Sequence, residues 1–203
     1  MKAIVGAPVS PASPVSPASP VGLPWADEPR FRCFGCSPRN PIGLALSLRL
    51  LPDGEMATTT VFSEDYASYP GIVHGGIISA LADEVMGDLL AVRWGMLAFS
   101  VTLRTRMLLP LRVGEPYLTT ARITGSGHGV VRTEADITGA GGEVHVMANA
   151  AFQPIRSEQA RLLMGLDDAE QARLSHYFDH SDHSDHLDHL DHSDHLDLEM
   201  GTA

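Results

Sequence analysis

The residues best suited to chemistry in this chain are His74, Gly75, Gly76, Ser79, Asp83 and Glu84, all in the stretch GIVHGGIISALADEV of residues 71–85. An apolar run follows the His-Gly-Gly, and a helix that starts there leaves its first backbone N–H groups without an intrahelical acceptor. Those groups lie at the positive end of the helix dipole, and glycines put no side chain in front of them. A carbonyl oxygen docked at this point is polarised, and the oxyanion of an acyl-transfer intermediate is stabilised. His74 stands beside it, able to orient a ligand or a carboxylate. Read without chemistry, the same residues are a turn-to-helix junction after Pro70 and Gly71.

Asp83 is the second component. On a helix, Ser79, Asp83 and Gly87 share one face at i, i+4 and i+8, and Glu84 and Asp88 share another. A carboxylate in an apolar helix is costly unless it is paired or faces a wet cleft. Asp83 lies nine residues beyond His74, about 13 Å along the axis at 1.5 Å per residue. That distance is too great for it to act on a carbonyl held at Gly75 of its own chain. A second copy of the chain would have to supply it, so catalysis here implies a dimer. The competing reading is a paired structural acid.

Elements able to position these residues surround them. GLALSLRLL (43–51), the turn PDGE and MATTTVF (56–62) read as a β-hairpin. The central helix spans roughly 76–93 and is apolar nearly all round, so it is buried on several sides. Four long β-like stretches follow, at 97–109, 116–125, 129–139 and 143–155, separated by PLRVGE, SGH and GAGG, all turn chemistry. Short turns between consecutive strands imply an antiparallel sheet. Residues 157–178 read as an accessory helical segment, with Asp167 and Glu170 as a capping box. The expected class is α+β, an antiparallel sheet of about six strands wrapped around one long central helix. The expected domain is 25–156.

The ends differ in composition. Residues 8–21 repeat PVSPAS, and Pro at every third position favours extended, polyproline-like chain. Residues 1–24 are therefore expected to form a disordered arm. At the other end His180, His183, His186, His189, His192 and His195 recur every third residue, each after an Asp. Such a tract offers weak metal ligands, His180, His183 and His186 among them. Its three-residue period does not match a helix of 3.6 residues per turn, and residues 179–203 are expected to be a disordered tail.

Charge narrows the function classes. The net charge is −11 for 203 residues. Eight acids and no Lys or Arg lie beyond residue 175, which leaves 17 acids against 14 bases in the body. No basic surface for nucleic acid is indicated. No apolar run reaches the roughly 18 residues of a membrane span, and AIVGAPV is a poor signal-peptide core. A cytoplasmic protein is expected. Cys33 and Cys36 are the only cysteines. A lone CxxC is a weak zinc signal, because a structural site needs four ligands, and no βαβ unit supports a redox motif. Two reduced cysteines in a turn are the expectation.

Three segments carry a resemblance: FRCFGCSPRNPIGLAL (31–46), YPGIVHGGIISALADEVMG (69–87) and FSVTLRTRMLLPLRVGE (99–115). Over residues 31–155 the chain resembles the hotdog-fold acyl-CoA thioesterases of the phenylacetate-pathway (PaaI) type. The resemblance implies a sheet wrapped around the central helix and a homodimer joined sheet edge to sheet edge, with dimers of dimers left open. It also implies acyl-CoA or acyl-carrier thioester hydrolysis with neither cofactor nor metal. Gly75 would donate its N–H to the thioester carbonyl, and His74 would help position thioester and leaving group. The partner chain's Asp83 would act as nucleophile or as general base. Ser100 would stand where the family carries a threonine that orients water or the carboxylate. Gly76, Ser79 and Glu84 are candidate substrate contacts. Arg104 and Arg106 are candidates for the CoA phosphates, as are Arg112, Arg122 and Arg132. Ser68 departs from the Asn or Gln that some members carry six residues before the histidine, and Glu84 is a second acid competing with Asp83. Alternative readings are a non-catalytic acyl-CoA-binding hotdog protein and a hydratase. The hydratase would want an Asp closer to His74 than Asp65. The acyl group is not specified.

Overall fold

Alternating apolar and polar residues give the long strands one face for a helix and one for solvent. The elements run in the order β1 (Arg49–Leu50), β2 (Met56–Val61), a 3-10 turn (Glu64–Tyr66), β3 (Ala67–Tyr69), β4 (Ile72–Val73), α1 (Gly75–Trp94), β5 (Ala98–Met107), β6 (Pro116–Gly127), β7 (Val130–Thr138), β8 (Val144–Pro154), α2 (Ser157–Met164) and α3 (Asp168–Leu174). The computed structural model describes residues 20–23, 25 and 30–175. Nearly all of the arm expected at 1–24, and all of the tail expected at 179–203 with its histidines, lie outside the described residues.

Six strands form one sheet in the order β1-β2-β6-β7-β8-β5, with every pairing antiparallel. β3 and β4 form a separate two-stranded ribbon that leads into α1. The helix packs against β2, β5, β6, β7 and β8. It buries Ile78, Leu81, Ala82, Val85, Met86, Leu89 and Leu90. The sheet answers with small side chains at its centre, Ala121, Ala135, Ala148 and Ala150, all buried. These alanines let the helix approach closely while Met56, Ile137, Val146 and Phe152 fill the remaining volume. Each fully buried Leu of the helix contributes roughly 1.5–3 kcal/mol over its exposed state. The helix stops at Gly95, which adopts the left-handed conformation (φ 60°) at its C-terminus. Among the described residues no helix is long and apolar enough to cross a membrane.

Two elements differ from the sequence expectation. The hairpin read from residue 43 begins only at Arg49. Residues 44 and 46 instead donate to the 33–36 loop, Leu44 N–H to Phe34 O at 2.7 Å and Leu46 N–H to Gly35 O at 2.9 Å. The backbone pairing that alternation suggested is thus satisfied by a loop rather than by β2. Likewise the helical segment after the sheet is two short helices, broken where Gly165 takes the left-handed conformation. Asp167 and Glu170 form the capping box of α3, with bonds of 2.8 and 3.0 Å.

Candidate active site

The start of α1 is held from several directions. His74 N–H donates to Tyr66 O at 2.8 Å, Val73 N–H donates to Leu111 O at 3.0 Å, and the Tyr66 hydroxyl reaches Gly43 O at 2.7 Å. His74 is the N-cap, extended at φ −67° and ψ 132°, and its Nδ1 accepts from Gly76 N–H at 2.9 Å. The neutral ring therefore carries its proton on Nε2. A Cβ at position 76 would sit 3.1 Å from the ring, so glycine there leaves room for the imidazole to fold back over the helix end. Gly76 satisfies its donor with the cap, whereas Gly75 N–H has no acceptor among the described residues. A Cβ added at position 75 would meet the methyl of Met107, the last residue of β5, at 3.6 Å.

Ser79 sits one turn further along. Its hydroxyl donates to Gly75 O at 3.0 Å and lies 3.0 Å from Thr105 Oγ1, tying the helix start to β5. Another turn on, Asp83 is half-buried, and Ser100 Oγ donates to its Oδ2 over 3.5 Å. Its other oxygen, Oδ1, is buried without a partner. Burial pushes the Asp83 carboxyl above its ordinary range, the Ser100 bond pulls it partly back, and the neighbouring Glu84 raises it again. Ser100 and Thr105 both face the helix although five positions separate them on a strand of period two. A bulge between Ser100 and Thr102 restores the phase. By the same alternation Arg104 and Arg106, both exposed, leave the sheet on the face away from α1, so one chain does not bring them to Asp83.

Glu84 turns to a neighbour that sequence reasoning did not find. Its Oε1 accepts from Cys33 Sγ at 2.6 Å. Gly35 is required beside it, because a Cβ there would overlap the Glu84 side chain. One turn on, Asp88 is 4% exposed with Oδ2 unpartnered, and burial first, then the Glu84 charge, pushes its carboxyl well above the ordinary range. Spacing put Glu84 and Asp88 on one helix face, but nothing local ties Glu84 to Cys33, 51 residues away. Asp83, Glu84, Gly87 and Asp88 line one cavity of about 370 Å³ with Cys33, Phe31, Ser100, Phe152 and Met164. Glu84, expected to face away from Asp83 by about 100°, thus opens onto the same space.

Residues 70–145 match the family model described as thioesterase superfamily. No curated protein matches the chain. Among solved structures, a thioesterase superfamily protein is 30% identical with a TM-score of 0.54, over 57% of this chain and 60% of its own. The chain thus spans less than two thirds of that relative. The Escherichia coli PaaI protein from the phenylacetic acid degradation operon is 17% identical with a TM-score of 0.51, over 55% of this chain and 80% of its own. A Streptococcus mutans protein solved bound to acetyl CoA is 20% identical with a TM-score of 0.50, over 54% of this chain and 88% of its own. The last two are similar to this chain in fold.

Proposed function

We propose that this chain, whose residues 70–145 match the thioesterase superfamily model and whose fold is that of the hotdog thioesterases, hydrolyses an acyl-CoA or acyl-carrier thioester to free acid and thiol. The observation that carries the reading is the unsatisfied Gly75 N–H at the start of α1, on the helix that also holds the half-buried Asp83. The N–H polarises the thioester carbonyl and stabilises the oxyanion. Eight residues of helix separate Gly75 from Asp83, about 12 Å at 1.5 Å per residue, so the working carboxylate comes from a second copy of the chain.

Strand β5 supports that dimer. It is the last strand of the sheet, with one edge unpaired among the described residues, and Phe99, Val101, Leu103 and Met107 on it are exposed. An unpaired, apolar edge strand is a template for another strand. Pairing there would join two sheets and carry the helix start of one copy towards Asp83 of the other.

In the reaction Asp83 acts as general base to water or as nucleophile. As base it takes a proton from water while the water oxygen bonds to the carbonyl carbon. The C–S bond then breaks as the oxyanion collapses, and the proton passes to the departing thiolate. Ser100 orients the carboxylate, and His74, with Nδ1 committed to the cap, offers Nε2–H to the thioester. CoA is the proposed carrier, with Arg104 and Arg106 on the outer face of the edge strand for its phosphates. A thioester lacks the resonance protection of an amide, and this machinery is sufficient for it.

Free-thiol release from a panel of acyl-CoAs and acyl-carrier thioesters, wild type beside Asp83→Ala, tests the reading. Turnover of one acyl class, with a folded variant reduced at least about a hundredfold (roughly 2.7 kcal/mol of barrier), is the expected result. Binding without thiol release from any of these thioesters would replace hydrolysis with acyl-CoA binding.

A further inference from the structure

The 33–36 loop and α1 bring together a donor set that the hydrolysis does not use. Cys33 Sγ, Cys36 Sγ and a carboxylate oxygen of Glu84 lie within 4.8 Å of one another. Tetrahedral zinc, with bonds of about 2.3 Å to sulfur and 2.0 Å to oxygen, holds its ligand atoms roughly 3.5 Å apart. Small side-chain adjustments therefore convert this cluster into a coordination shell.

Three further features bear on a cation here. Gly35 N–H and Cys36 N–H both donate to Cys33 Sγ, at 3.2 and 3.1 Å, and the Trp25 indole N–H donates to Cys36 Sγ at 3.1 Å. The two N–H groups on Cys33 Sγ favour its anionic form, whereas the Cys33 neighbour and burial push the Cys36 thiol up, so a bound cation has to displace that proton. Asp88, behind Glu84 and 4% exposed, keeps Oδ2 without a partner. Burial and the Glu84 charge hold its carboxyl in the protonated form, and a cation bound beside Glu84 would let it ionise. Finally, Cys33, Glu84 and Asp88 open onto the 370 Å³ cavity, which gives an ion a way in.

We propose that Cys33, Cys36 and Glu84 form a divalent-cation site of zinc type, with the fourth coordination position facing the cavity. Two thiolates and one carboxylate select zinc over magnesium or calcium, which prefer all-oxygen shells. Asp88 orients Glu84 from behind. The ion clips the 33–36 loop onto α1 and so fixes the cavity wall next to Asp83. CxxC alone lacked the ligands for this; the fold supplies the third from a helix 51 residues along the chain.

Cobalt substitution tests the site on the full chain, under a non-thiol reductant. A stoichiometric equivalent of Co²⁺ should produce the near-ultraviolet thiolate-to-cobalt charge-transfer band and the strong visible bands of a tetrahedral ion. The tail histidines beyond residue 175 bring no sulfur, so that band reports Cys33 and Cys36 alone. Cys36→Ser should abolish it. Asp88→Asn should weaken cobalt binding roughly tenfold or more, and Glu84→Gln further still. Zinc should protect both thiols from modification in the wild type, a readout that needs no variant to fold. The proposal is overturned if wild type gives no thiolate band at stoichiometric cobalt. It is equally overturned if zinc leaves the rate of thiol modification unchanged.

Discussion

Ser100, on the edge strand, reaches Asp83 on the central helix only because the bulge beside it turns its side chain to the helix side of the sheet. The bond is long, 3.5 Å, and orients the carboxylate rather than anchoring it. Ser100→Ala should therefore lower kcat roughly tenfold while leaving the thermal midpoint nearly unchanged. Asp83→Asn should lose a hundredfold or more, about 2.7 kcal/mol of barrier. Thiol release and thermal melts of both variants, side by side, check the ordering.

Gly75 permits a substitution that removes one atom's function with little else. It is the first residue of α1, where proline is well tolerated. His74 before it is already extended (ψ 132°), as a residue preceding proline must be. Gly75→Pro should fold with a near-native melting temperature and have no measurable turnover, since proline lacks the N–H. Full activity in that variant would remove the helix start from the mechanism.

Shared sites can be tested by complementation. Gly75→Pro and Asp83→Asn chains, each inactive, should regain activity when unfolded and refolded together. A mixed dimer has one site with both Gly75 and Asp83 intact, so a statistical mixture should show about a quarter of wild-type turnover if sites act independently. Absence of recovery in a verified mixed dimer would locate both groups of each site in one chain. Leu103→Lys on the exposed edge should shift sedimentation towards monomer and lower activity in parallel.

The cap sets the stability of the helix entry. Gly76→Ala places a Cβ 3.1 Å from the His74 ring and displaces the imidazole from the Gly76 N–H. Loss of an N-cap bond costs about 1 kcal/mol, measurable by urea unfolding.

Glu55 supplies a pH-dependent test away from the site. Burial, and then the charge of Asp53, holds its carboxyl above 4.5 in the folded protein, with Arg122 opposing. The folded state binds this proton more tightly than the unfolded one, so the contribution is favourable at low pH. It is lost as pH rises from about 4.5 through the folded value. Glu55→Gln should match wild type in acid and exceed it at neutral pH. The gain should stay below about 1 kcal/mol, because this carboxyl is only partly buried and solvent screens it. Unfolding free energies across that pH range check the sign.

Much of the architecture was legible in the chain because it rests on local periodicity. Strand alternation between 97 and 155, the all-apolar helix and the Asp167–Glu170 capping box each depend on neighbours within a few positions, and so did the pairing of His-Gly-Gly with an acid nine residues on. What periodicity did not reach was decided by contacts between distant segments. Residues 43–48 alternate like a strand, but Leu44 and Leu46 donate their N–H groups to Phe34 and Gly35. Ser100 faces Asp83 through a bulge that leaves no mark in the apolar pattern. Cys33 and Cys36 are free thiols at a turn, as their spacing suggested, but only the fold sets Glu84 against them and buries Asp88 nearby. Sequence alone determined which residues could polarise a carbonyl or carry a proton. Tertiary structure decided which of them share a space, because a side chain's partner is set by where the backbone returns and not by its spacing along the chain.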